Sequence, residues 1–153
     1  MALVDTLQEK TAPLVAPIDG ANPVGADPTF ETDFEAVKKE IDKLSSVEDK
    51  PNWGSVATGS AAILKNKAKD FRIAIWSTIG LMQGNSWAGF AEGLVTMRGL
   101  VTQHWDAMYP DVKRGRARAN MMSWMIDQSA AYLEKAEVNG RNGEAVTVSN
   151  DML

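Results

Sequence analysis

A lone histidine, one basic run and one Lys-Asp-Phe-Arg block are the residues of this 153-residue chain with the types that do chemistry. His104 would have to serve any Ser-His-Asp triad, with Asp106 or Asp111 as its carboxylate and a serine from elsewhere in the chain. On a helix, Asp106 at i+2 points away from His104. No Gly-x-Ser-x-Gly elbow is present to expose a nucleophile. His104 therefore reads as a structural or surface side chain. A metal site needs clustered ligands, and the chain has no cysteine. Asp33, Glu35, Glu40 and Asp42 share a segment with interleaved lysines, the pattern of a solvated helix face. A pair of Glu-x-x-His motifs is excluded by the single histidine. Glycine-rich dinucleotide and phosphate loops are absent, so no cofactor is implied.

The basic run is Lys113, Arg114, Arg116 and Arg118. It fits a phosphate, RNA or acidic-partner contact, or a solvated loop leading into a helix whose N-terminus does not favour cations. A nucleic-acid surface needs a longer basic stripe or an aromatic platform, and none accompanies it. The remaining constellation is Lys69, Asp70 and Arg72, with Asp106 further along. One reading is a polar pocket for a small ligand or an enzymatic reaction. The other is a helix cap at Asp70 with an Asp–Arg pair bridging the fourth and fifth helices. Under the capping reading, Asp70→Ala costs roughly 1 kcal/mol.

The elements that must position these residues are helical. Residues 2–11 predict a short helix, and Pro13, Pro17, Gly20, Pro23 and Gly25 predict an extended stretch over 12–26 pinned by Leu14, Val15 and Ile18. Asp27 and Pro28 suit the N-cap and first position of a second helix. Phe30, Phe34, Val37, Ile41 and Leu44 form its apolar stripe. After a polar loop over 45–52, Asn52 caps a third helix from Trp53, with Val56, Ala57, Ser60, Ile63 and Leu64 inward. Asp70 caps a fourth, with Phe71, Ala74, Ile75, Ile79 and Met82 inward. Gly84 is placed as its left-handed C-cap. Trp87, Phe90, Leu94, Met97, Val101, His104 or Trp105, and Met108 make the stripe of a fifth helix ended by Pro110. A sixth runs from about Arg116, with Ala117, Met121, Trp124, Met125, Gln128 and Tyr132 inward. Residues 134–153 read as a polar tail or linker, in which 145–149 alternate only weakly. The expectation is one all-α domain over 1–133, a compact bundle of about six helices with an extended N-terminal segment.

Gly80, Gly89, Gly93 and Gly99 fall inside predicted helices, where each costs up to about 1 kcal/mol relative to alanine. Beside large aromatics they predict close helix approach. Of the five tryptophans, Trp53, Trp76, Trp105 and Trp124 fall at or beside inward positions and read as core. Trp87, in a first helical turn beside a loop, is the candidate interface anchor, with Arg114 and Arg116 as candidate polar contacts.

Apolar content of 44% and charged content of 24% are globular values. The first residues carry no basic, then apolar, signal-peptide pattern, and the stretch from Phe71 to Met82 is too short and polar to span a membrane. Charge is uneven. Residues 1–51 hold five basic and eleven acidic groups, net −6; residues 52–118 hold nine and four, net +5. Docking of acidic on basic faces, within or between chains, fits these numbers, as does a solvated surface.

In order along the chain stand Pro17-Ile18, Gly25-Ala26-Asp27-Pro28, Phe34, Trp53 and Val56, and Lys69-Asp70-Phe71-Arg72 with Trp76. Gly89 and Gly93-Leu94, His104-Trp105-Asp106 with Pro110, and Ser123-Trp124-Met125 follow. This succession resembles the N-terminal domain of the TssA (ImpA-type) subunits of bacterial type VI secretion systems over about residues 13–127. Phe71 stands for the family's usual leucine and His104 for its usual aromatic residue. The resemblance implies a non-enzymatic, cytoplasmic assembly subunit. Its implied partners are baseplate, tail tube or sheath proteins, with self-association open and neither nucleic acid nor membrane insertion involved. The family's C-terminal region has no counterpart here, so the chain resembles the N-terminal domain alone. Motif residues Trp53, Lys69, Asp70, Phe71, Arg72, Trp76, Gly93, Leu94, Trp105, Asp106, Pro110 and Trp124 are expected to be structural.

Overall fold

Helical periodicity organises the chain as it does the computed structural model, which describes residues 3–139 and 145–147, with side chains over 3–136. The α-helices are α1 (Leu3–Val15), α2 (Thr32–Asp42), α3 (Trp53–Asn66), α4 (Phe71–His104) and α5 (Gly115–Leu133), with a 3₁₀ turn at Lys43–Ser45. The architecture is all-α, with five helices where about six are expected. The difference lies in α4. Its backbone leaves the helical region at Asn85 (φ −142°, ψ 24°) and Ser86 (φ 49°, ψ −132°). A Cβ built on Gly93 would lie 2.6 Å from the Cα of Thr78, and one on Gly89 would lie 1.9 Å from the Leu81 carbonyl oxygen. In a straight helix fifteen residues span about 22 Å, so α4 doubles back as two antiparallel arms, 71–84 and 87–104. The predicted fourth and fifth helices are these arms. The positive φ falls on Ser86 and not on Gly84, because the reversal is made in two residues just past the glycine.

Close approach of the arms dictates which residues face inward. Gly89, Gly93, Thr96, Met97, Leu100 and His104 are buried on the second arm. Leu94, Val101 and Trp105, expected inward, are 39%, 39% and 43% exposed. At the two closest points, opposite Leu81 and Thr78, only glycine fits, so the inward stripe runs through Gly89, Gly93, Met97, Leu100 and His104, rotated from the stripe of Leu94 and Val101.

Around this hairpin, α3 packs on the first arm, α1 on the second, α5 against α4, and α2 on α3. Val56, Ile63, Leu64, Ile73, Ile75, Ile79, Met82, Leu100 and Met108 are fully buried in the shared core. Asn52 caps α3 as expected, its side chain accepting from Ser55 N at 3.0 Å. Two boundaries differ from expectation. α1 continues through Pro13 to Val15, because Thr11 and Val15 bury against the core. α2 starts at Thr32, because Asp27 caps a local turn instead: its carboxylate accepts from Thr29 N and Oγ1. Phe30, placed in the apolar stripe by spacing, is consequently outside the helix and 94% exposed; Leu44 is also exposed. After α5, two short strands, β1 (Glu137–Asn139) and β2 (Ala145–Thr147), pair antiparallel. The weak alternation after residue 145 thus has a partner up to Thr147. Residues 140–144 and 148–153 of the expected tail lie outside the described residues.

Candidate functional site

Between α3 and α4 the chain is extended for three residues, and these form the centre of a clasp. Lys69 N donates to Val24 O at 2.9 Å; Tyr109 N donates to Lys69 O at 3.0 Å. Phe71 N donates to Tyr109 O at 2.7 Å, and the Tyr109 hydroxyl donates to Gly25 O at 2.8 Å. Segments far apart in sequence are laced together through backbone groups that would otherwise be buried unpaired. Gly25 is required here: its φ is +70°, and a Cβ would meet Lys67 O at 1.8 Å.

The side chains follow the same logic. Lys69 is fully buried, its ammonium donating to Leu14 O at 2.8 Å and Leu64 O at 2.5 Å. The Leu64 carbonyl belongs to the last turn of α3, where a cation is favoured. Burial pushes the Lys69 pKa down to about 8. Asp70, also fully buried, caps α4 by accepting from Arg72 N (2.8 Å) and Ile73 N (3.3 Å). Its two oxygens accept from Arg72 Nε at 3.1 Å and Nη2 at 2.6 Å, a bidentate pair. Burial pushes the Asp70 carboxyl up, against the lowering effect of Arg72 and the two amides. Arg72 also donates to Thr29 Oγ1 at 3.0 Å and lies 4.6 Å over the Phe34 ring. Asp70 and Arg72 therefore join the start of α4 to the turn before α2, and do not bridge the fourth and fifth predicted helices. Asp106 is exposed, and its electrostatic effect falls on Arg118.

Arg118 closes the other side. It is 2% exposed, and its guanidinium donates to three carbonyls: Pro110 O (2.9 Å), Trp105 O (2.7 Å) and Met108 O (2.7 Å). Its plane lies 4.6 Å from the centre of the Trp105 ring. His104 is buried beside it, Nε2 2.7 Å from Val15 O. Thus the histidine is a tie between α4 and α1, in line with its structural reading.

Beside the clasp, between the second arm of α4 and α5, runs an apolar cleft of about 470 Å³. Phe71, Met97, Val101 and Trp105 line one side; Gly115, Arg118, Ala119 and Met122 line the other, with Arg98 at the edge. Among the described residues, no group of three or more His, Asp or Glu side chains is placed to hold a metal ion. No helix there is long and apolar enough to cross a membrane.

The sequence model of the family described as ImpA, N-terminal, type VI secretion system, matches residues 15–127. The chain belongs to this ImpA N-terminal family. Among solved structures, it is similar to the N-terminal domain, including the conserved ImpA_N region, of the TssA component of the type VI secretion system from Burkholderia cenocepacia. The two share 25% identity with a TM-score of 0.76, over 90% of this chain and 54% of that one. The chain thus spans about half the length of the solved structure it matches. No curated protein sequence matches it.

Within the ImpA_N fold the motif residues divide. Trp76 is buried 5.4 Å from Phe34, and Phe71, Gly93 and Pro110 are buried. Trp53 and Trp124, expected in the core, are half-buried at its margin, and Trp105 is exposed because His104 takes the inward position beside it. Trp87 is half-buried in an edge contact with Phe90, 6.5 Å between ring centres, at the α4 reversal. Arg114 and Arg116 are exposed where α5 begins. The residue that reading by type missed is Arg118. It sits in the basic run, and nothing in the run marks it as the one arginine that turns inward. Its place one turn into α5, on the side of Met121, Met122 and Met125, was the available signal.

Proposed function

We propose that this chain is a non-enzymatic docking domain of a type VI secretion system. It presents helical surfaces to baseplate, tail tube or sheath components in the cytoplasm during assembly of the contractile tail. The observation that carries the reading is how the polar motif residues are spent. Every polar group of Lys69, Asp70 and Arg118 is committed to backbone carbonyls, a helix cap or an ion pair. Lys69, Asp70, Arg72 and Asp106 do not converge on a common space, which is what a ligand-binding or enzymatic reading of them requires. Membership of the ImpA_N family and the likeness to a TssA domain support the secretion role. Residues 1–133 make the docking domain in this reading, and 134–153 a tail or linker. Trp87, at the reversal of α4, and Arg114 and Arg116, where α5 begins, remain the candidate contacts to those components.

Co-purification of the chain with separately produced baseplate, tube and sheath subunits tests the proposal. Retention of at least one subunit is expected, weakened at least tenfold by Trp87→Ala or by Arg114→Glu with Arg116→Glu. The exposed arginine pair should leave the thermal midpoint unchanged, whereas Trp87→Ala, which also removes packing, is read against the midpoint of a Phe90→Ala chain. Failure to retain any of them would overturn it.

A further inference from the structure

The structure points to a second copy of this chain as the occupant of the apolar cleft, and we infer that Phe30 is the residue inserted. Phe30 is 94% exposed, so it does not fill the cleft of its own chain. It is held out by a rigid turn: Pro28 is buried beneath it, and Asp27 and Thr29 lock the turn by hydrogen bonds and tie it to Arg72. An exposed phenyl ring on a fixed turn loses little conformational freedom on docking. Glu31 and Glu35, one helical turn apart beside it, are exposed and hold no ion pair among the described residues. The knob is therefore aromatic with an acidic flank.

The cleft is its complement. Its lining is almost wholly carbon, with Val101 and Trp105 offering exposed apolar faces. About its edge and the start of α5 stand Arg98, Arg114 and Arg116, exposed and without a direct ion pair among the described residues. Arg114 lies within electrostatic reach of Asp27 of its own chain, and exposed Asp106 and Asp111 lie within reach of Arg118, so the rim is basic on balance rather than throughout. Arg118, on the wall, is already committed to three carbonyls and contributes ring and stem, not a free charge. The acidic 1–51 region and the basic 52–118 region, net −6 and +5, carry the same complementarity over longer range. Like charges on Glu31 and Glu35 disfavour the competing contact of knob on knob. Because knob and socket are different patches, two copies either exchange knobs reciprocally or join head to tail.

Sedimentation velocity on the chain between about 10 and 500 μM, at low and high salt, tests the inference. Reversible self-association is expected, weakening several-fold as salt rises. Phe30→Ala removes the knob and Val101→Glu places a carboxylate in the socket; each weakens self-association at least tenfold. Both positions are exposed, and unchanged thermal midpoints establish that both variants fold. Mixing the two restores a one-to-one complex, since one keeps its socket and the other its knob. A wild-type chain that stays monomeric would overturn the inference and leave the cleft to another secretion component. So would a Phe30→Ala chain that associates like the wild type, or a mixture that does not combine.

Discussion

The clasp and the cleft lie side by side and use arginine and aromatic residues in opposite ways. In the clasp, Arg118 spends its guanidinium on three buried carbonyls, and Arg72 is bound to Asp70 and stacked on Phe34. In and around the cleft, Arg98, Arg114 and Arg116 point to water beside exposed Val101 and Trp105. A buried polar group must find partners inside the fold, and so it stabilises one arrangement of the chain. An exposed cation beside apolar surface costs the fold little and remains available to something outside it. Residues of the same type are thus divided between holding the domain and offering it.

That division makes graded predictions. Arg118→Ala should have the largest effect, destabilising the chain by about 3–5 kcal/mol, because three carbonyls lose their donor at once. Urea unfolding measures it, and an Arg118→Lys chain should fall between, since an ammonium cannot reach all three. Asp70→Ala should cost about 2–4 kcal/mol. That exceeds the value for a cap alone, because Arg72 is left without its partner carboxylate in a half-buried position. A loss near 1 kcal/mol would mean that the buried pair adds nothing beyond capping.

Lys69 gives the comparison a pH dependence. Its folded-state pKa of about 8 lies below the ordinary value of 10.5. Between those values the unfolded chain binds the extra proton, so the contribution of Lys69 to stability rises with pH and is lowest below pH 8. Relative to Lys69→Met, the wild type should gain about 1–3 kcal/mol between pH 8 and 10.5, read from thermal midpoints of both chains. A constant difference would show that the ammonium is not desolvated. On the cleft side the effects should be smallest. Phe30→Ala and Arg98→Ala should each shift stability by no more than about 0.5 kcal/mol, and a larger loss in calorimetry would erase the distinction between the two regions.

Much of the scaffold was legible. The period of Phe34, Val37 and Ile41, the Asn52 and Asp70 caps, and the in-helix glycines all anticipated what is found. Errors cluster where two stripes compete. On the second arm of α4, hydrophobicity favoured Leu94 and Val101, whereas the contact with Thr78 admits only Gly93. At Asp27-Pro28, two good helix-start residues serve a turn four residues ahead of α2. The cleft was hidden for the same reason: Phe71, Met97, Val101 and Trp105, which line one side of it, were assigned to the core.

The sequence by itself determined that the chain is helical, where most helices lie, and which family its motifs resemble. These rest on local periodicity, capping chemistry and residue order, all of which are written along the chain. Only the tertiary structure decided that α4 folds back, that Arg118 turns inward while Arg114 and Arg116 do not, and that Phe30 stands in solvent. Each of those depends on how closely two remote segments approach. That distance is set by the packed volume of every side chain between them, which no short window of sequence contains.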